Sequence, residues 1–227
     1  MIVYTLRMRL LSDTTFGRGD GVAGLVDREV EHDAYGFPYL RGRTLKGLLR
    51  EECDNLITAL PTPSLQEYWE NVAFNVFGIP GSTRDTISTM HVGDACLPED
   101  LRQAVAYQMQ LQNKKLTSVD ILNSLTTIRR QTAIDPKTGT PDEGSLRSSR
   151  VVLRNLGFTA ALSFEIQPSN DALSLLTVGS LALKRVGSGR NRGRGYVQCH
   201  LFDSTSRELT ADLTLVDHFG VAEGGAA

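Results

Sequence analysis

With 227 residues, 41% hydrophobic and 22% charged, and a formal net charge of −2, the chain reads as a folded soluble protein of one elaborated domain or two small ones. No apolar run approaches the roughly 20 residues that span a membrane. The opening MIVYTLRMRLL carries arginines and no small-residue cleavage site, so it does not read as a signal peptide. Three isolated cysteines (Cys53, Cys96, Cys199) and four histidines without ligand spacing exclude a disulfide framework and a structural zinc site, and point to the cytoplasm.

The near-alternation of Val3, Tyr4, Leu6, Met8 and Leu10 predicts a strand over 2–11. A long glycine-bearing loop follows. Leu45, Leu48, Leu49, Leu56, Ile57 and Leu60 then predict a helix over 44–60, with Thr44 as its N-cap and Pro61 as its stop. A short helix is expected over 64–74, where Tyr68, Trp69, Phe74 and Phe77 have the spacing of core residues. A strand over 90–97, containing His91 and Asp94, and a helix over 99–112 come next. Residues 124–155 hold two strand-like ends around the turn-rich IDPKTGTPDEGS. A strand over 157–166, a helix over 173–183, a basic loop and a closing strand over 196–202 complete the pattern. Residues 203–220 give no clear period, and 221–227 read as a frayed tail.

This order suits an α+β fold with a ferredoxin-like (RRM-like) βαββαβ core and large insertions, in one domain over 1–220. The insertions include a hairpin near 129–152. RNA-recognition domains use the same scaffold, although scaffold does not decide function.

Two segments concentrate positive charge. KRVGSGRNRGR (184–194) has five cations and three glycines, and no acid lies between Asp171 and Asp203. Gly187, Gly189 and Gly193 permit positive φ and close approach of backbone N–H groups to an anion. Lys184, Arg185, Arg190, Arg192 and Arg194 supply charge, and the arginine forks match phosphate oxygens. The alternative is a solvated basic loop. The second segment, GFPYLRGRTLKGLLR (36–50), carries Arg41, Arg43, Lys46 and Arg50 where a helix begins, and a helix N-terminus can receive phosphate. Arginines on an outer helical face explain it equally well.

Together the two segments resemble the RAMP superfamily, CRISPR-associated proteins that build the backbone of type III effector complexes. The resemblance rests on GLVDREVEHDAYGFPYLRGRTLKGLLR (24–50), TAIDPKTGTPDEGSLRSSRVV (132–152) and GSGRNRGRGYV (187–197), in that order over most of the chain. Within the superfamily it looks most like the backbone subunit that holds guide RNA and cuts target RNA. The resemblance implies that Asp27 is required for metal-dependent cutting. Arg41 to Gly47 replaces the family's PGSSLKG run, which keeps the turn and adds charge. The 132–152 segment matches the family's thumb-like hairpin, which wedges between nucleotides, here with Arg129, Arg130, Thr132, Ile134 and Arg147. Guide RNA, single-stranded target RNA, other effector subunits and copies of this chain are the implied partners. No membrane partner is implied.

The chemistry agrees with that assignment at one point. Asp20, Asp27 and Asp33 share the first loop, and a carboxylate beside a phosphate is repelled unless a divalent cation bridges them. Asp27 would organise such a cation, of which Mg²⁺ is the expected one, with Asp20 and Asp33 as its neighbouring candidates. The RNA's own 2′-hydroxyl would be the nucleophile, which restricts the reaction to RNA. For a single loop acid, capping is the competing role. Two other functions stay open: a structural RNA-binding subunit that does not cut, and a small-molecule enzyme that binds a nucleotide phosphate in the glycine-rich loop. The Arg18-Gly19-Asp20 tripeptide reads as coincidence, and Glu99-Asp100 as the acidic start of a helix.

Overall fold

The computed structural model describes residues 1–78, 88–110 and 116–221. Its elements run β1 (Ile2–Leu10), α1 (Gly42–Thr58), α2 (Pro63–Phe77), β2 (Met90–Val92), α3 (Glu99–Gln110), α4 (Ser118–Leu125), β3 (Thr126–Gln131), β4 (Arg147–Val152), β5 (Gly157–Phe164), α5 (Asn170–Ala182), β6 (Val197–Phe202) and α6 (Leu213–His218). The result is a mixed α+β fold in which every strand pair is antiparallel.

Alternation does what the sequence suggests. Tyr4, Leu6, Met8 and Leu10 of β1 face the core, while Arg7 and Arg9 are exposed on the other side. β5 repeats the pattern with Phe158, Ala160, Leu162 and Phe164. β1 lies between β5 and β6, and β2 extends the sheet beyond β5, giving the order β2-β5-β1-β6. Leu45, Leu49, Cys53 and Ile57 of α1 recur every four residues and are all buried. Each fully buried leucine of this kind contributes roughly 2 kcal/mol. Gly179 of α5 lies so close to Cys53 Sγ that a Cβ there would collide with it, which brings the two helices together. β3 and β4 form a separate two-stranded ribbon, in register from Thr126 opposite Val152 to Gln131 opposite Arg147.

Several boundaries differ from expectation, each for a local reason. α1 starts at Gly42, so Thr44 is inside the helix and not its N-cap. The 90–97 strand stops at Val92, since Asp94 turns to accept the Gly42 N–H at 2.7 Å, and Ala95 and Cys96 make only isolated bridges. α2 begins at Pro63, with Thr62 as its cap, and continues to Phe77; Trp69 and Phe77 are buried, but Phe74 is 38% exposed. α4 is an addition to the expected elements, and Thr117 and Asp120 form a reciprocal capping box at its start. α5 begins earlier than expected because Ser169 caps it. α6 occupies part of the stretch without a clear period, with Asp212 as cap. Residues 111–112 of the expected helix and 222–227 of the expected tail lie outside the described residues.

Candidate nucleic-acid interface

The basic loop leaves α5 through two buried anchors, Leu183 and Val186. Ser188 N–H donates to Thr15 O at 2.9 Å and Gly195 N–H to Asp13 O at 3.0 Å, which straps the loop to the segment after β1. Gly187 and Gly195 both have positive φ, and a Cβ at either would run into Thr14, Thr15 or Val186. The close approach at Gly187 is to Thr14 and Thr15 of the protein itself, and the glycine also lines the groove bordered by Arg192 and Arg194. Gly189 and Gly193, both left-handed, flank a single 3₁₀ turn at Arg190–Arg192.

The five cations of the loop are not equivalent. Arg190 grips Glu51 of α1 through both terminal nitrogens at 3.0 and 2.9 Å, and that bond raises its already high pKa. Arg185 donates to Arg190 O at 2.7 Å. Both therefore brace the loop. Arg192 and Arg194 line an open groove of about 920 Å³, and among the described residues no carboxylate pairs with either. Lys184 is exposed outside that lining.

Asp27 lies across the same groove. Its N–H donates to Ser148 O at 2.9 Å, while Ser148 N–H and Oγ approach Asp27 Oδ2 at 2.6 and 3.1 Å. The Ser148 backbone N–H, then its hydroxyl, hold this exposed carboxyl below the usual carboxylate range, so it is ionised at neutral pH. The hairpin closes the groove with Gln131, Thr132, Ala133, Ser145, Arg147 and Ser149. Thr132 Oγ1 and Ser145 Oγ are 2.7 Å apart across the two arms. Ile134, on the arm below the polar turn 135–140, and Leu146, next to β4, are 55% and 60% exposed. Arg129 turns to Asp13 at 2.8 Å, and both it and Arg130 line a separate groove on the other side of the ribbon.

The other candidates are occupied differently. Asp20 pairs with Arg18 at 2.7 Å. Asp33 Oδ1 accepts the Tyr35 and Phe37 N–H groups, and its Oδ2 meets Arg102 at 3.3 Å, a turn-capping arrangement. Arg41 pairs with Glu31 at 2.6 Å. Lys46 Nζ donates to Ser88 Oγ at 2.5 Å and Met90 O at 3.0 Å, and burial pulls its pKa down. Arg50 is taken by Asp54 and Gly78 O. Arg43 is exposed beside Arg41 in a third groove of about 810 Å³ that also includes His91 and Asp94. At the N-terminus of α1, the expected phosphate seat, the Gly42 N–H is already taken by Asp94 Oδ1.

Sequence reasoning missed Arg28, Gln131, Ser145 and Ser149 in the main groove. Arg28 had a signal, as a cation adjacent to Asp27. Ser145 and Ser149 had none, because only the fold brings them to the loop. Among the described residues no group of three or more His, Cys, Asp or Glu could hold a metal ion, and no helix is long and apolar enough to cross a membrane. Asp27 is thus a single carboxylate. It fits a cation held mainly by phosphate oxygens and water, the usual way Mg²⁺ is bound at phosphates, and does not make a resident metal site.

A model of the RAMP superfamily matches residues 7–198. Among solved structures, a chain of the type III-B Cmr-beta cryo-EM structure in the apo state superposes with a TM-score of 0.60 at 13% identity, covering 92% of this chain and 98% of that one. A chain of type III-B Cmr-beta bound to cognate target RNA gives 0.60 at 12% identity, covering 88% and 97%. No curated protein sequence matches the chain.

Proposed function

The chain belongs to the RAMP superfamily, and from that premise we propose that it is a guide-RNA-binding backbone subunit of a type III CRISPR ribonucleoprotein that also cuts bound target RNA. One observation carries the reading: Asp27, the hairpin arms and four arginines for which no carboxylate partner occurs among the described residues, Arg28, Arg147, Arg192 and Arg194, line one groove. Phosphates would lie against Arg192, Arg194, Arg28 and Arg147, giving binding that is steeply salt-dependent and nearly blind to base sequence. Ile134 and Leu146, exposed on the hairpin arms, offer apolar surface with which a hairpin can part stacked nucleotides. The guide and a single-stranded target RNA are the nucleic-acid partners, with other effector subunits and copies of this chain along the particle. Type III-B Cmr-beta bound to target RNA has a chain of the same shape, which supports that setting.

Cutting would proceed by attack of the target's 2′-oxygen on the adjacent phosphorus as the bond to the 5′-oxygen breaks, the 2′-hydroxyl proton passing to water and the 5′-oxygen taking one up from water, to leave a 2′,3′-cyclic phosphate and a 5′-hydroxyl. A divalent cation, Mg²⁺ in this reading, supplies neutralisation of the charge that builds on the phosphate. Asp27 would be its protein ligand, ionised and held by Ser148. The order β2-β5-β1-β6, with α1 following β1 and α5 following β5, supports a ferredoxin-like core. A single hydrophobic cluster from Tyr4 to Leu209 supports one RAMP-type domain carrying the hairpin as an insertion.

The test uses the assembled ribonucleoprotein. Asp27→Ala should bind guide and target as the wild type does and stop cutting, because an exposed loop carboxylate adds little stability and its charge opposes RNA. Chelation should copy the defect, and a deoxynucleotide at the cut should resist. Wild-type cutting by Asp27→Ala sinks the catalytic assignment. A particle that binds target but never cuts would favour the non-cleaving structural subunit, a reading supported by the hydrogen bonds Asp27 already accepts from Ser148.

A further inference from the structure

Ser148 and Arg150 stand two apart on β4, so they share a face of the strand, and both reach the loop that carries Asp27. Ser148 holds Asp27 itself through its N–H and hydroxyl. Arg150 holds the next turn: its N–H donates to Arg28 O at 2.9 Å, and its Nε sits 2.9 Å from Glu29 Oε1, an ion pair rather than an aligned hydrogen bond. The side chains of this pair are only 8% and 3% exposed. Glu29 Oε1 also accepts the Val30 N–H at 2.8 Å. Arg150 Nη1 donates to Asn123 Oδ1 at 3.1 Å and Thr126 Oγ1 at 3.2 Å, so one guanidinium ties α4, β3 and the loop together. Arg28 also forms an isolated parallel bridge with Ser149, which lays the loop alongside β4 at that point.

We propose that Ser148 and Arg150 are positioning residues that lock Asp27 to the hairpin and so hold its carboxylate in register with the phosphate that is cut. The inference rests on the catalytic reading of Asp27. A buried ion pair is a poor stabiliser compared with apolar side chains of the same volume, so stability alone does not account for Arg150 and Glu29. What such a pair imposes is a fixed orientation, since its charges tolerate burial in few geometries. The loop needs that restraint. Gly24, three residues before Asp27, has a positive φ, and Gly21 packs directly on the Val26 and Asp27 carbonyls. The hairpin and the carboxylate therefore move as one body.

The experiment maps product ends on target RNA cut by the assembled ribonucleoprotein. Ser148→Ala removes one hydroxyl from a half-exposed site, and the double change Glu29→Leu with Arg150→Met replaces the pair by apolar groups. Both should keep target binding and cut roughly ten- to a hundredfold more slowly, the usual penalty for slight misplacement of a reacting group, with products appearing at neighbouring phosphates. Ser148→Thr keeps the hydroxyl and should restore both rate and position, which a purely structural serine would not require. If Ser148→Ala and the double variant cut the same phosphate at the wild-type rate while Asp27→Ala is inactive, the positioning role is overturned. If Asp27→Ala itself cuts normally, the catalytic reading falls instead. Should the double variant fail to assemble, Ser148→Ala decides the matter alone.

Discussion

The loop after α5 and the start of α1 look alike in sequence: both are basic, glycine-bearing and free of acids. In three dimensions they differ in what their charges do. At α1, Arg41, Lys46 and Arg50 all have protein partners, and Asp94 caps the helix N-terminus. In the loop, Arg185 and Arg190 brace the backbone so that Arg192 and Arg194 face the groove. Charge counted along a chain measures supply. Availability depends on which acids and carbonyls the fold places nearby.

The largest effect expected from this contrast is on RNA content. Replacing Arg190, Arg192 and Arg194 together by alanine should abolish co-purification of RNA with the complex, by removing both the brace and the groove-facing forks. Replacing Arg41 and Arg43 should leave most of the RNA in place. Salt titration sharpens the comparison, because each single-strand phosphate left without its cation makes the slope of log K against log salt shallower by about 0.7. Equal RNA loss from the two sets would break the contrast.

A smaller effect concerns the cap supplied from outside the helix. Asp94→Ala leaves the Gly42 N–H without its acceptor and should cost about 1 kcal/mol in denaturant unfolding, as N-cap removal usually does. An unchanged unfolding midpoint would show that the α1 N-terminus is satisfied by water, and the phosphate seat would be open after all.

The smallest effect is a pH dependence. Burial depresses Lys46 in the folded state below its ordinary 10.5. Between the folded and unfolded values the unfolded chain binds more protons, so this residue makes stability rise with pH up to about its ordinary value. Lys46→Met should flatten that rise in unfolding midpoints measured across the alkaline range. A matching slope in the variant would place the ammonium in solvent and restore it as a phosphate ligand.

Much of the framework is legible in the sequence because it depends on local period. The β1, β5 and β6 strands alternate cleanly, and the leucines of α1 repeat along one face. The misses share a cause. Asp94 ends β2 early because it serves a helix 52 residues away in sequence, and Ser148 meets Asp27 across 121 residues. No window of sequence contains both members of such a pair. α4 is the exception, since Thr117 and Asp120 announce its start within four residues, a signal that hydrophobic period does not register. For the site, family resemblance picks out Asp27 among three loop acids. Composition does not, and the fold adds a distinction from Asp33, which caps a turn, and Asp20, which pairs with Arg18.

The pairing of β1 with β5 and β6 also shapes how the molecule is made. Ile2 meets Phe164 and Leu10 meets Val197, so β1, made before both of its partners, waits until the intervening chain has followed. Until then its apolar face, Tyr4 to Leu10, and two strand edges are unsatisfied, and pairings this distant in sequence form slowly. Synthesis therefore passes through a long interval in which α1 and α2 can form but have no sheet to cover. That interval exposes the nascent chain to aggregation and to holding factors, and arrival of the closing strand ends it.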